Sequence, residues 1–388
     1  MSVEAWHTAT KLLTSRIITA WYKVRYDYIG TEKKMKAPYL ILGNHTTVLD
    51  AFFVSFGLKE SIRYITSDQY FRNKYVAYLA SRAGCIPKAK FVSDISVIRE
   101  LIHCKNAGKS VGIFPEGYRN WDGFTDKLLS GTEKLVKLLN IPVVSVTSQG
   151  GYLSMPRWAK HRRKGPITLT YRLILTPEQI ENASVGQIRT ILENELAHDD
   201  NEMQRTHPIP YRGKRLAEEL ELILYCCPHC GAFETMVSDH DQLRCNSCGY
   251  TTAYNRFGFF TPVGDHPVYY DTPHKWREFC KQSIIRYLAD AEKGSVLFCR
   301  DIDLYMESGT RTKFKKADSG TVCLYHDRFD FQGQQRDLRF PLGDLKGFTM
   351  SKRNMIDFYY QDVKYRFAPV CERTSSSLWE NAYSALIH

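Results

Sequence analysis

A histidine and an aspartate five positions apart, in Asn44-His45-Thr46-Thr47-Val48-Leu49-Asp50, are the first residues of this chain whose types suit acid–base chemistry. A carboxylate that accepts the Nδ1 proton of an imidazole leaves Nε2 free to take a proton from a hydroxyl near neutral pH. A second group is Phe114-Pro115-Glu116-Gly117-Tyr118-Arg119. Arg119 can grip a phosphate through two parallel hydrogen bonds, Gly117 lets backbone approach a ligand closely, and Glu116 can fix Arg119 or receive a substrate hydroxyl. A third group is Cys227-Pro228-His229-Cys230-Gly231 and Cys245-Asn246-Ser247-Cys248-Gly249. Two CxxC pairs turn four thiolates toward one point, a set suited to a closed tetrahedral Zn²⁺ of structural type; His229 and Cys226 are weaker ligand choices, and a redox dithiol is the lesser alternative.

These side chains need elements to bring them together. Positions five apart on a regular helix point about 140° apart, so Asp50 reaches His45 only if His45 precedes the helix. The run Pro38–Gly43 reads as a buried strand and Leu49–Phe56 as a helix, with Thr46 or Thr47 as its cap. Ser110–Phe114 reads as another strand, so both groups stand at carboxyl ends of strands, where open α/β sheets hold their sites. Further strands at Val24–Ile29, Ile62–Thr66, Ile141–Thr147 and Ile167–Leu175 alternate with helices at Tyr70–Arg82, Ile95–Asn106, Gly131–Leu139 and Pro177–Ala197. The alternation predicts an α/β domain with a mostly parallel sheet over residues 1–205.

Arg205–Gly213, rich in Pro, Arg and Gly, reads as a linker, and the cysteine module follows at 220–255. A helix at 272–292 leads into β runs at Val296–Met306, Thr321–Phe331, Leu338–Thr349 and Ile356–Phe367, then a helix at Ser376–Ile387. Strands closed by one helix give residues 256–388 the outline of a small β-rich, pleckstrin-homology-like domain, an analogy of shape.

Charge is unevenly placed. Residues 1–172 hold 27 Lys and Arg against 12 Asp and Glu, a net of +15; residues 173–388 hold 26 against 30, a net of −4, and together these give the chain's +11. A basic N-terminal part suits phospholipid surfaces, phosphorylated substrates, acidic carrier proteins or nucleic acid, and charge alone does not choose among them. The acidic balance of the C-terminal part weighs against a zinc-ribbon nucleic-acid binder. From Ala5 to Val24, Trp6, Leu13, Ile17, Trp21 and Val24 recur at helical spacing among Lys11, Arg16 and Lys23, as in a helix lying on a lipid interface. The run Arg157–Lys164, with Trp158 inside it, suits anionic headgroups. No stretch reaches 18 consecutive apolar residues and no secretory signal opens the chain, so the expectation is a cytoplasmic protein held peripherally on the inner face of a membrane, without a transmembrane helix and with reduced thiols.

Together the motifs resemble the glycerolipid acyltransferase family, the 1-acyl-glycerol-3-phosphate acyltransferase type. Its first block, NHxSxxD, is NHTTVLD here; its FPEGTRS block is FPEGYRN, with Tyr118 and Asn120 departing from it. A block between them matches Gly84-Cys85-Ile86-Pro87-Lys88, with Lys88 where Arg is usual, and a last block matches Ile141-Pro142-Val143-Val144. The resemblance covers roughly residues 20–175. It implies that His45, oriented by Asp50, deprotonates the acceptor hydroxyl of a lysophospholipid, which attacks an acyl thioester carried by CoA or acyl carrier protein. It implies that Lys88 and Arg119, with Glu116 and Gly117, receive the acceptor, and that backbone N–H groups of the motifs stabilise the oxyanion. The departures at Lys88 and Tyr118 leave a second reading open, a catalytically silent adaptor that binds lipid or a partner.

Overall fold

The computed structural model describes residues 3–31, 33, 35–67, 71, 74–88, 95–308 and 313–387, and these divide into two compact units, 1–157 with 162–213, and 158–161 with 214–388. The cysteine module and the β-rich region, separate domains in the sequence reading, share the second unit.

The first unit runs α1 (Val3–Tyr22), β1 (Val24–Ile29), β2 (Leu40–Gly43), α2 (Asp50–Phe56), β3 (Ile62–Ser67), α3 (Lys74–Arg82), β4 (Ile86–Lys88), α4 (Ile95–Asn106), β5 (Ser110–Ile113), α5 (Thr132–Leu139), β6 (Val143–Gln149), α6 (Gly151–Ser154), β7 (Ile167–Leu175), α7 (Pro177–Asn182), α8 (Val185–Leu196) and α9 (Asp200–Thr206). Its strands lie in the order β1-β7-β6-β2-β5-β3-β4, parallel at every pairing except β6 with β7. Side chains alternate across a strand, so β2 serves two cores at once. Leu40 and Leu42 join Val111, Val97, Leu101, Val136, Leu139, Ile188 and Leu192 on one face. Ile41 joins Phe53, Val54, Val144, Val146, Leu169 and Tyr171 on the other, with Ile18 and Tyr22 of α1 against them. Burial on both faces is why this strand reads as an unbroken apolar run.

The expected amphipathic helix is α1, but Val24 belongs to β1, because Lys23 turns the chain with φ 51°. The side chain of Trp6 lies outside the described residues, as does Tyr70, the first residue of the expected helix at 70–82. The helix expected over Pro177–Ala197 is two helices. Thr176 with Gln179 and Ser184 with Gln187 each form a reciprocal capping box, so a new helix starts at 185.

The second unit runs β8 (Met236–Asp239), β9 (Gln242–Cys245), β10 (Thr251–Tyr254), β11 (Phe260–Pro262), α10 (Pro273–Asp290), β12 (Phe298–Ser308), β13 (Lys313–Leu324), β14 (Arg328–Gly333), β15 (Asp337–Pro341), β16 (Lys346–Ser351), β17 (Met355–Tyr360), β18 (Val363–Pro369) and α11 (Ser376–Ile387). Strands β8–β11 form one antiparallel sheet, and β12–β18 another in the order β15-β14-β13-β12-β18-β17-β16. The two share a core: Phe233 meets Tyr287 and Phe298 edge-on, and Trp276 donates to the Cys226 carbonyl at 2.9 Å. Cys299 and Cys323 face one another across β12 and β13 and are joined in a disulfide, where the sequence reading had free thiols.

Among the described residues no helix is long and apolar enough to cross a membrane.

Candidate active site

Because β2, β3, β4, β5 and β6 all run parallel, their carboxyl ends share one edge of the sheet. That edge receives His45 after β2, Lys88 at the end of β4, and Glu116, Gly117 and Arg119 after β5.

His45 lies in the turn between β2 and α2, and Asp50 is the first residue of α2. His45 Nδ1 is 2.8 Å from Asp50 Oδ2, with Asp50 1% exposed and His45 23%. The same oxygen accepts the backbone N–H groups of Thr46 at 2.7 Å and Thr47 at 2.9 Å. The hydroxyls of Thr47 (2.6 Å) and Thr46 (3.3 Å) reach Oδ1. A carboxylate so surrounded by donors acts as acceptor, so the imidazole carries its proton on Nδ1 and Nε2 is the acceptor nitrogen. The threonines were expected to cap α2; instead Asp50 clamps the turn from the helix side, and Thr47 Oγ1 accepts the Leu49 N–H at 3.1 Å.

The ring plane of His45 is fixed by stacking on Phe114 at 4.5 Å, and Phe114 in turn stacks on Tyr64. Gly43 makes room for this, since a Cβ there would lie 3.2 Å from the Phe114 ring and from the Val146 carbonyl.

Glu116 stands differently from a residue that meets an acceptor. It is 1% exposed, and its two oxygens accept the N–H of His45 at 2.6 Å and of Asp126 at 3.0 Å. Burial pushes its pKa up to about 8, against the pull of those two backbone groups. Glu116 thus pins the turn of His45 to the segment that follows β5. Asn120 adds a second tie, its N–H donating to the His45 carbonyl at 2.8 Å; the residue is fully buried and its side-chain amide finds no partner among the described residues. The N–H groups of His45, Thr46, Thr47, Gly117 and Asn120 are therefore committed inside the motifs, Gly117 to Phe114. None of these five is left to hold an oxyanion in this arrangement.

Gly117 adopts φ 77°, a conformation glycine alone takes readily. Arg119 is half-buried, and its carbonyl accepts from Arg157 at 3.0 Å. Lys88 is half-buried at the end of the edge strand β4.

The arginines of the basic run at 157–164 are used within the protein, while Lys160, His161 and Lys164 stay exposed. Arg157 lies 3.6 Å from the Trp121 ring centroid, Arg163 is 2% exposed, and Arg162 stacks 4.0 Å over Tyr22. In the second unit Lys160 pairs with Glu219 at 2.9 Å and His161 with Glu218 at 3.7 Å.

Sequence reasoning missed the support behind the dyad. Asn44 bridges to the backbone of Ser148 at 3.2 and 2.7 Å, and Ser148 Oγ lies 3.3 Å from Thr46 Oγ1. Just beyond, Asp200 is fully buried; it accepts from Gly150 N at 2.6 Å and Tyr152 N at 3.2 Å and pairs with His198 at 2.8 Å. The one signal was Gly150-Gly151 at a strand end: a Cβ on Gly151 would strike Thr46 Oγ1 at 2.2 Å.

In the second unit the sulfurs of Cys227, Cys230, Cys245 and Cys248 all lie within 4.8 Å of one another. The contacts Cys227–Cys248 and Cys230–Cys245 are both 3.8 Å. A tetrahedron with metal–sulfur bonds of about 2.3 Å sets its sulfurs about 3.8 Å apart, so the four thiols fit a metal ion of that kind. Gly231 and Gly249, at φ 74° and 78°, close the two turns.

The Acyltransferase family model matches residues 25–149, the stretch that carries the His45–Asp50 pair and the segment from Glu116 to Arg119. The chloroplastic 1-acyl-sn-glycerol-3-phosphate acyltransferases of Brassica napus and Arabidopsis thaliana are 25% and 24% identical over 152 residues, 39% of this chain and 44% and 42% of theirs. The chain thus spans less than half the length of these curated relatives. The 1-acyl-sn-glycerophosphate acyltransferase PlsC of Thermotoga maritima is similar over 49% of this chain and 76% of its own, at 17% identity and a TM-score of 0.41. The match over residues 25–149 and these likenesses support the resemblance to the 1-acyl-glycerol-3-phosphate acyltransferase family.

Proposed function

We propose that this protein transfers a fatty acyl group from a thioester, acyl-CoA or acyl carrier protein, to the hydroxyl of a lysophospholipid, with 1-acyl-glycerol-3-phosphate as acceptor. The single observation that carries the reading is the 2.8 Å pairing of His45 Nδ1 with a carboxylate whose oxygens are already held by the turn's own donors. His45 Nε2 takes the acceptor's hydroxyl proton while that oxygen bonds to the thioester carbon. The tetrahedral intermediate then expels the thiolate, which receives the proton back from His45, so no proton is gained or lost. Asp50 holds the ring in the productive tautomer and stabilises the imidazolium that forms. Arg119 and Lys88 grip the acceptor phosphate, and Gly117 lets the backbone approach it. Glu116 acts as a positioning residue for His45 rather than as a substrate contact.

The four cysteines hold Zn²⁺ as a structural ion, closing the ribbon; the reaction takes no step through it. In the β-rich region the first four strands are followed in the sheet by the seventh, sixth and fifth, with a helix after the last. That order supports the pleckstrin-homology-like outline. We place the protein at the cytoplasmic face of a membrane as a peripheral enzyme, with the acceptor drawn from that surface and without nucleic acid as a partner.

The test is acyl transfer by the purified protein to lysophosphatidic acid from both donor types. Turnover with wild type and its loss in His45→Ala, at unchanged circular dichroism, is the expected result. Absence of turnover with every lysophospholipid and donor would instead favour the silent adaptor.

A further inference from the structure

Helix α3 buries none of its residues. Tyr75, Tyr78 and Leu79 are 70%, 57% and 51% exposed and stand at helical spacing, so they form one solvent-exposed apolar stripe. A cation sits over a ring at each end: Lys74 Nζ is 5.0 Å from the Tyr75 centroid and Arg82 is 5.2 Å from that of Tyr78. The helix, KYVAYLASR, contains no acidic residue. Rings at the level of lipid headgroups, with basic side chains reaching past them, mark a helix that lies in an interface.

The neighbouring elements are bare as well. Helix α1, which packs beside both α2 and α3, leaves Leu13, Ile17 and Trp21 at 74%, 72% and 70% exposed. Val48 and Phe52 are 55% and 51% exposed, and Val48 lies inside the turn that joins His45 to Asp50. Water-exposed apolar area on three adjacent elements calls for an occupant. A second copy would set Lys74 and Arg82 of α3 against the same cations, in a segment whose net charge over residues 1–172 is +15, whereas an anionic leaflet complements them.

We propose that α3, with the outer stripe of α1 and the Val48–Phe52 edge of the catalytic turn, is a docking face for an anionic lipid surface, seating the His45 turn at the headgroup level. It deepens the acyltransfer reading and rests on it for the lipid's role as substrate. The acceptor then meets His45 without leaving its leaflet.

The experiment is flotation of the full-length protein with vesicles of phosphatidylcholine containing roughly a third phosphatidylglycerol, against pure phosphatidylcholine. It compares wild type, Tyr75→Ser/Tyr78→Ser/Leu79→Ser and His45→Ala. Wild type and His45→Ala should float with the anionic vesicles, and the triple variant should lose at least about tenfold in partition. Its turnover of vesicle-borne acceptor should fall by the same factor, while turnover of a short-chain acceptor dissolved as monomer stays within about twofold. Unchanged partition of the triple variant overturns the proposal, as does a change confined to self-association in light scattering. If no protein turns over any acceptor but the partition results are as expected, the docking face stands and the reaction reading fails.

Discussion

In the turn at 44–50 the carboxylate paired with His45 is fixed by its neighbours: two backbone N–H groups and two hydroxyls hold Asp50, and Glu116 and Asn120 hold the backbone of His45. The cysteine knuckles gather their four sulfurs on turns closed by Gly231 and Gly249, and the 3.8 Å spacing of the paired thiols matches an ion's coordination shell. The first arrangement is complete within the polypeptide. In the second, a bound ion would supply the energy of assembly through ligand–metal bonds, as in small zinc modules. A site of the first kind tolerates loss of one partner by losing rate; a site of the second kind loses its fold.

Metal removal should therefore have the largest effect. Chelation is expected to abolish the near-ultraviolet dichroism of the second unit's aromatic core, with a loss on the order of 10 kcal/mol or more in apparent stability. Retention of that signal after metal analysis reads zero would break the contrast. Next come the dyad variants. His45→Ala and Asp50→Asn should each lower kcat by about 10²–10⁴-fold, the latter because an amide favours the wrong imidazole tautomer. A loss confined to KM would show that the pair binds rather than catalyses.

Glu116→Gln sharpens the comparison through pH. Native Glu116 keeps its proton up to about 8, whereas in the unfolded chain it releases it near 4.5. Between those values the folded state binds more protons, so its stability falls as pH rises, and the loss is complete above about 8. The variant lacks this slope, and the difference between the two proteins' denaturation curves across that range should reach a few kcal/mol, to order of magnitude. Parallel curves would show that Glu116 titrates normally. The smallest effect is expected at Asp200→Asn, whose support reaches the dyad only through Gly150, Ser148 and Thr46. We expect a fall in kcat of a few fold with KM unchanged; rescue by no other change than restoring the aspartate separates it from global damage.

The strand–turn–helix around His45 was legible because β2 is buried on both faces and the helix begins at an acidic residue that also serves the site. The C-terminal hairpins were not. Thr321–Phe331 and Ile356–Phe367 each read as one strand, yet the chain reverses at Tyr325–Arg328 and at Gln361-Asp362, whose φ values are 47° and 60°. Aromatic and β-branched residues flank both turns, and neither contains glycine or the Asn-Gly pair that usually announces such a reversal. The helix break at Ser184 was readable from its capping box and was passed over because the apolar spacing continues through it. Within the site, residue type identified the dyad but not its clamps, since hydroxyl and backbone donors leave no periodic mark. The basic run at 157–164 was legible only as charge: composition does not say which cations already face an aromatic ring or a glutamate.

The Cys299–Cys323 bond bears directly on how the second unit is handled at the bench. Metal exchange at four thiolates calls for a reductant to keep them from oxidising. That same reagent attacks the link between β12 and β13, where Cys299 is exposed to solvent. Melting curves recorded with and without thiol thus describe two covalently different molecules, and the contribution of the ion is read cleanly only when both are compared at a fixed state of that cross-link.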